Sequence, residues 1–351
     1  MILLLMTRRS FLATASALAV PAPKVRLGFD TYSLRSLNWR AFENLDYAAA
    51  LKLDIVQFSL PRDCDPMSAA HLAEIRRRAG ASGVAIETGI GSLLPRLEVE
   101  VSQRVQFVKD GIAATKALGG NVMRTYITND RSRLPKGSID PYIEKSIAIL
   151  RGALEAAREA GVRIAIENHK DLLSSEILPI IQEAGPDHVG LCLDTGNAPY
   201  LAEDPAVILD SMAQHVFTTH IRDACIYAHP RGANVQWVPL GEGTLDLERF
   251  TRTFAARCKD ARYVVENITG RPPQLVPYLD DGYWVDKKRA AAAGFASFLK
   301  LAAKGQPYAG RLVMFDVEGY KPPPAMYAEA MKHQQREHLE RGFAFARKVL
   351  S

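Results

Sequence analysis

Eight short runs of β-branched and apolar residues recur along the chain, and this recurrence constrains the fold more than any other feature. The runs cover 25–32, 53–60, 84–89, 121–128, 162–168, 189–194, 216–221 and 262–267, with starts 28, 31, 37, 41, 27, 27 and 46 residues apart. Between most of them apolar residues fall at three- and four-residue intervals, the spacing of one buried helix face. The clearest stretch is 139–160, where Ile143, Ile147, Leu150, Leu154 and Ala157 form one stripe and Gly161 supplies the stop. Strand, helix, glycine and strand in repetition predict a parallel sheet closed by right-handed crossovers, a (β/α)8 TIM barrel. An open doubly wound sheet would carry Gly-x-Gly-x-x-Gly after its first strand, and Gly89-Ile90-Gly91 is only a fragment of that turn.

The two ends of the chain fall outside this rhythm. Thr7-Arg8-Arg9-Ser10-Phe11-Leu12 precede a weakly apolar stretch that contains Ala17-Leu18-Ala19, a small-residue cleavage pattern. Paired arginines ahead of Phe-Leu resemble the twin-arginine export signal, which predicts an exported, periplasmic protein. At the other end, Pro272, Pro273 and Pro277 predict a loop over 271–284, and 287–303 reads as the eighth helix. Pro322-Pro323-Pro324 then interrupt the chain before a last helix over about 325–349. The expected division is a signal segment at 1–22, a barrel at 23–304 and a C-terminal helical extension at 305–351 that packs on the barrel. Tyr283 and Trp284 are candidates for a lid over its mouth.

Composition narrows the partners. With 48% hydrophobic and 24% charged residues the chain is globular rather than disordered. The longest apolar stretch falls short of the roughly 20 residues that span a bilayer, so no stable membrane association is expected after export. Lys+Arg 44 against Asp+Glu 39 leaves +5, with no basic block beyond Arg76-Arg77-Arg78, which argues against a nucleic-acid partner. Cys64, Cys192, Cys225 and Cys258 form no Cys-x-x-Cys pair and signal neither a zinc ribbon nor a redox motif.

In a barrel of this kind chemistry sits at the C-terminal ends of the strands. The fifth run ends Ile166-Glu167-Asn168-His169, the sixth Leu193-Asp194-Thr195-Gly196-Asn197, the seventh Thr219-His220-Ile221-Arg222-Asp223 and the eighth Val265-Glu266-Asn267. Four successive strands thus offer Glu167, Asp194, His220 and Glu266. Isolated carboxylates are costly to desolvate there, and one shared cation accounts for all four. Three carboxylates and an imidazole suit a hard or borderline divalent ion, Mn²⁺ before Mg²⁺, Co²⁺ or Zn²⁺. His169 is a candidate base or substrate donor. Asp30, Glu87, Arg124, Asn197 and Arg222 are candidates for binding substrate, and Trp237, read as a loop residue before Gly241, for stacking on a sugar face.

These strand ends, together with Pro239-Leu240-Gly241-Glu242-Gly243, resemble the xylose-isomerase-like barrels, and within them most the sugar phosphate isomerase/epimerase family. The resemblance covers about residues 25 to 300. It implies a (β/α)8 barrel whose single divalent metal is held by Glu167, Asp194, His220 and Glu266. The chain departs from the ketose 3-epimerase branch at three places. Leu173 stands where a second carboxylate follows the first metal Glu, Asn197 where a histidine follows the metal Asp, and Ile226 where an arginine follows the metal His. The metal-binding half of the pattern is present and the sugar-orienting half is not. No glycine-rich phosphate cradle is visible either.

The expected function is a divalent-metal-dependent sugar isomerase or epimerase that removes an α-proton through a metal-stabilised enediolate, with Glu167 and Glu266 trading the proton. The alternatives are a 3-keto-glycoside lyase on the same metal site and a non-catalytic exported sugar-binding barrel. The expected partner is a small carbohydrate, and a homo-oligomer is compatible with the composition. Apurinic endonucleases share the barrel but need several more histidines than the first four runs supply, which is none.

Overall fold

Each of the eight runs folds as a strand. They are β1 (Arg26–Asp30), β2 (Ile55–Phe58), β3 (Ala85–Ser92), β4 (Val122–Tyr126), β5 (Arg163–Glu167), β6 (Val189–Asp194), β7 (Val216–His220) and β10 (Arg262–Val265). This computed structural model describes residues 25–351 except 132, 133, 135, 136, 259, 261 and 315–324. The expected signal segment at 1–22 and the run Pro322-Pro323-Pro324 lie outside the described residues.

All eight strands pair in parallel, in the order β10-β1-β2-β3-β4-β5-β6-β7. A parallel bridge between Ile221 and Val265 brings β7 back to β10 and closes the ring. The crossovers are α1 (Ala41–Ala50), α2 (Ala69–Ala81), α3 (Val101–Ala117), α4 (Asp140–Ala160), α5 (Ser174–Ala184), α6 (Pro205–Met212) and α7 (Leu247–Arg257). In α4 the expected stripe faces the sheet, with Ile143, Ile147, Leu150 and Ala157 buried and Leu154 partly so. Gly161 ends that helix at φ 66°, a left-handed conformation that costs glycine little.

Two regions differ from the expectation. The long interval before the last barrel strand holds an antiparallel hairpin, β8 (Asp223–His229) and β9 (Gly232–Val238). It is extended by β11 (Gln274–Val276) from the stretch read as a loop. The reversal needs only Pro230-Arg231, followed by Gly232 at φ 149° as the first residue of β9, so the interval resembles an oversized crossover. Trp237 therefore lies on a strand rather than in a loop.

The second difference is which helix completes the outer ring. α8 (Ala292–Lys304), expected to close the barrel, instead packs beneath the hairpin and beside α6, where Ser297 donates to Asp204 at 2.6 Å. The last helix, α9 (Ala325–Leu350), takes the closing place between α7 and α1. Its Phe343 meets Phe29 edge-on at 6.3 Å, Glu340 accepts from the Tyr47 hydroxyl at 3.2 Å, and Arg347 donates to the Leu51 carbonyl at 2.5 Å. The nominal extension is thus part of the barrel wall. Tyr283 and Trp284 pack toward Tyr278 and Phe295 rather than over the mouth. The four cysteines are buried and free, and no helix among the described residues is long and apolar enough to cross a membrane.

Candidate active site

Parallel strands in register end at one height, and that geometry assembles the centre. Glu167 closes β5, Asp194 closes β6 opposite His220 of β7, and Glu266 follows β10. One ligand atom from each of these four residues lies within 4.8 Å of the other three, and all four residues are buried. His220 Nδ1 is the hub, 3.2 Å from Glu167 Oε1, 3.2 Å from Glu266 Oε2 and 3.7 Å from Asp194 Oδ2.

The surrounding hydrogen bonds leave those atoms facing inward. Gln57, on β2, donates its amide to Glu87 at 2.8 Å, so its carbonyl oxygen faces His220 Nε2 at 2.5 Å. A carbonyl only accepts, so Nε2 carries a proton. Burial opposes a charged ring, but the acidic groups around it outweigh burial and raise the His220 pKa well above its ordinary value. Nδ1 is therefore protonated as well and would yield that proton to a cation bound at the centre. Asp194 Oδ1 accepts from the backbone N–H groups of Gly196 and Asn197, both at 2.8 Å, which turns Oδ2 into the centre. Asn168 clamps the Asp194 backbone through both its amide atoms. Asn197 donates to Glu167 Oε1 at 3.1 Å and Asp194 Oδ2 at 2.8 Å. Gly196 is required by space, because a Cβ there would meet Arg222 Cβ at 2.6 Å and the Trp237 indole nitrogen at 3.0 Å.

Charge in the centre is unevenly distributed. Arg124 Nε lies 2.8 Å from Glu167 Oε2, and burial of Glu167, which opposes ionisation, is outweighed by Arg124 and His220, so its pKa falls well below the usual range. Burial pushes Asp194 upward. Arg222 Nη2 sits among the carboxylates, in contact with Glu266 and 2.8 Å from Asp194 Oδ2. Three carboxylates crowded at one point thus draw in the nearest cationic side chain. Asp30 Oδ2, Asn197 Oδ1 and Arg222 Nε and Nη1 are buried without hydrogen-bond partners among the described residues. The oxygen and imidazole ligands of Glu167, Asp194, His220 and Glu266 fit a hard or borderline divalent ion.

Above the centre opens a cavity of about 190 Å³ lined by Tyr126, Arg222, Glu266 and Trp237, among others. His169 lines it too, stacked on Tyr126 at 4.3 Å, with Nδ1 donating to the Asn129 carbonyl at 3.0 Å, so that Nε2 is an acceptor. Burial lowers the His169 pKa to about 4 and keeps the ring neutral. Arg124 also lines the cavity. Three residues expected at the substrate lie elsewhere. Asp30 is buried below the centre, 3.6 Å from His220 Nε2. Glu87 lies deeper, held by Gln57, Thr218 and Arg262. Asn197 orients two carboxylates instead of facing the cavity. Arg222 and Asp223 diverge, since Asp223 accepts backbone N–H bonds from Ala224, Gly241 and Gly243 and so ties down the 239–243 loop. Reading strand ends missed Gln57, because a neutral amide inside an apolar run carries no chemical signal of its own. It also missed Arg271, which reaches the cavity from the stretch after β10.

Comparison with known proteins agrees with this architecture. A family described as xylose isomerase-like TIM barrel matches residues 45–283. The 3-oxo-isoapionate decarboxylase of Pectobacterium atrosepticum is 22% identical over 210 residues, which are 58% of this chain and 68% of that protein. Among solved structures, a D-psicose 3-epimerase in the presence of D-fructose superposes with TM-score 0.60 at 15% identity, over 93% of this chain and 99% of that one. The IolI protein with a binding zinc atom superposes with TM-score 0.54 at 17% identity, over 78% and 99%. At such identities the structural likeness is one of fold.

Proposed function

The chain belongs to the xylose isomerase-like TIM barrel family, and on that premise we propose a divalent-metal-dependent sugar isomerase or epimerase that removes the proton α to a sugar carbonyl. The observation that carries the reading is the convergence of Glu167, Asp194, His220 and Glu266 on one point beside the cavity. A divalent cation held by these four supplies Lewis-acid stabilisation of the negative charge that develops on the carbonyl oxygen as the neighbouring C–H bond breaks.

The protein's own groups do the rest. Glu266 reaches the cavity and receives the α-proton. Glu266 can give that proton back to the neighbouring carbon; where Glu167, kept ionised by Arg124, is instead the group that takes the α-proton, a protonated Glu266 returns one from the other side. Reprotonation of the neighbouring carbon gives isomerisation, and reprotonation of the same carbon on its other face gives epimerisation. His169, neutral and with Nε2 free to accept, orients a substrate hydroxyl. Asn197 and Gln57 touch no substrate; they hold Glu167, Asp194 and His220 in place.

The decarboxylase relative favours a second reading, in which the same carbanion is formed or consumed by loss of a substituent. A 3-keto-glycoside lyase is the form of it that an exported protein would use. The test is exchange of substrate hydrogen with solvent deuterium in manganese-loaded protein, screened over ketoses, aldoses and 3-keto-glycosides. Isomerase, epimerase and lyase all show exchange, and a product of unchanged formula or a released aglycone separates them. Metal-replete protein that binds sugar without any exchange would leave a non-catalytic binding barrel.

A further inference from the structure

One wall of the cavity carries a cluster of cationic side chains beside the carboxylate centre, of which Lys170 also faces Asp130 at 3.8 Å. Three side chains from three parts of the chain converge on the Trp237 ring: Arg222 from the segment after β7, at 4.7 Å from the ring centre, Lys170 from the segment after β5, at 5.1 Å, and Arg271 from the segment after β10, at 5.4 Å. All three line the cavity. Arg35 stands behind them, half-buried, its pKa lowered to about 10 by desolvation and by the neighbouring Arg271 and Arg222. Like charges this close repel, and an indole face offsets only part of the cost. Arg222 pairs with Asp194 and Glu266 through Nη2 and still has donors to spare. It is 4% exposed and lines the cavity, and neither its Nε nor its Nη1 has a hydrogen-bond partner among the described residues.

We infer that the substrate is a sugar acid, whose carboxylate binds over Trp237 between Arg222, Arg271 and Lys170 while its carbonyl end faces the four-ligand centre. This names the substrate class of the reaction proposed above and rests on that reading. A planar carboxylate matches the guanidinium fork, and charge-assisted bonds in a low-dielectric wall are the strong ones. A neutral ketose would bring no charge to Arg222 Nε and Nη1, which are buried without a hydrogen-bond partner among the described residues, and that is the condition under which a site rejects an analogue.

Calorimetric titration of the full, manganese-loaded chain tests it with matched probes. D-Fructose is the neutral reference; 2-keto-D-gluconate and D-fructuronate replace one of its terminal hydroxymethyl groups by carboxylate; D-fructose 6-phosphate carries the other common anion. At least one acid should bind about tenfold tighter than D-fructose. The advantage should shrink with added salt and disappear in Arg271→Gln, with Lys170→Gln as a second variant should the first not fold. Equal or tighter binding of D-fructose overturns the inference, as does tightest binding of the phosphate or an advantage that survives both substitutions. Deuterium exchange on the same probes separates the two claims. Exchange on D-fructose without acid preference removes the sugar-acid inference and leaves the proton-abstraction reading. Acid-selective binding with no exchange on any probe removes the proton-abstraction reading.

Discussion

The two ends of the barrel are both rich in charged side chains, yet they are built on opposite rules. At the N-terminal end Asp260 accepts from Arg26 at 2.5 Å, Arg163 at 2.6 Å and Arg262 at 2.8 Å. Arg262 also donates to Glu87 and Asn121. None of these residues carries a buried polar atom without a partner among the described residues. At the C-terminal end three carboxylates crowd one imidazole, and orphaned donors and acceptors remain on Arg222, Asn197 and Asp30. A satisfied network holds a structure together, whereas an unsatisfied one stores a preference for something not yet bound. Gln57 joins the two, since it bonds both Glu87 and His220.

The largest effects should separate the two ends most sharply. Glu266→Gln should reduce deuterium exchange by about 10²- to 10⁴-fold, the range for loss of a general base, while the melting temperature changes little. An unfolded Glu266→Gln would break the comparison, because the mouth would then be structural as well. Arg262→Ala should do the reverse. It leaves Glu87 buried without its cation, and removing one partner of a buried pair costs about 3–5 kcal/mol, readable by urea denaturation. A stable but inactive Arg262→Ala would show instead that the lower end takes part in the reaction.

Gln57 should show an intermediate effect that sharpens the boundary. Gln57→Ala frees the Nε2 side of His220, and loss of such a support weakens metal binding by about 10- to 100-fold. The readout is manganese titration followed by the rise in melting temperature that the metal produces. An unchanged manganese affinity would mean that the barrel wall alone orients the imidazole.

The smallest effect is one of pH. Burial of Asp260 opposes ionisation, but Arg262, Arg163 and Arg26 outweigh it and hold its pKa at about 2, below the ordinary 3.8. A carboxyl whose folded pKa is depressed adds stability that is fully present above the unfolded value and fades as pH falls through the folded one. The difference in urea midpoint between the native protein and Asp260→Asn should therefore narrow as pH drops from about 4 to about 2. A difference constant over that window would mean that the arginines do not favour the ionised form.

The sequence by itself determined the eight parallel strands and the four ligand-type residues at their ends. Both depend on local signals. A buried strand must be apolar along its length, and a carboxylate or imidazole closing such a run is conspicuous against it. Trp237, α8 and α9 were not legible in the same way. Which of two amphipathic helices closes the ring is decided by the fit of Phe343 against Phe29, not by either helix's own periodicity. The hairpin of β8 and β9 was hidden because its pairing is antiparallel and needs no crossover helix to mark it. The identity of the neighbours was also beyond the sequence. Asp30 and Glu87 end or occupy strands as Glu167 does, but only the stagger of a closed barrel puts them below the centre instead of in the cavity. The same closure brings Lys170, Arg222 and Arg271 around one indole, though Lys170 and Arg271 lie about a hundred residues apart in the chain. Contacts of that kind exist only after the ring has closed, because it is closure that makes distant strand ends neighbours.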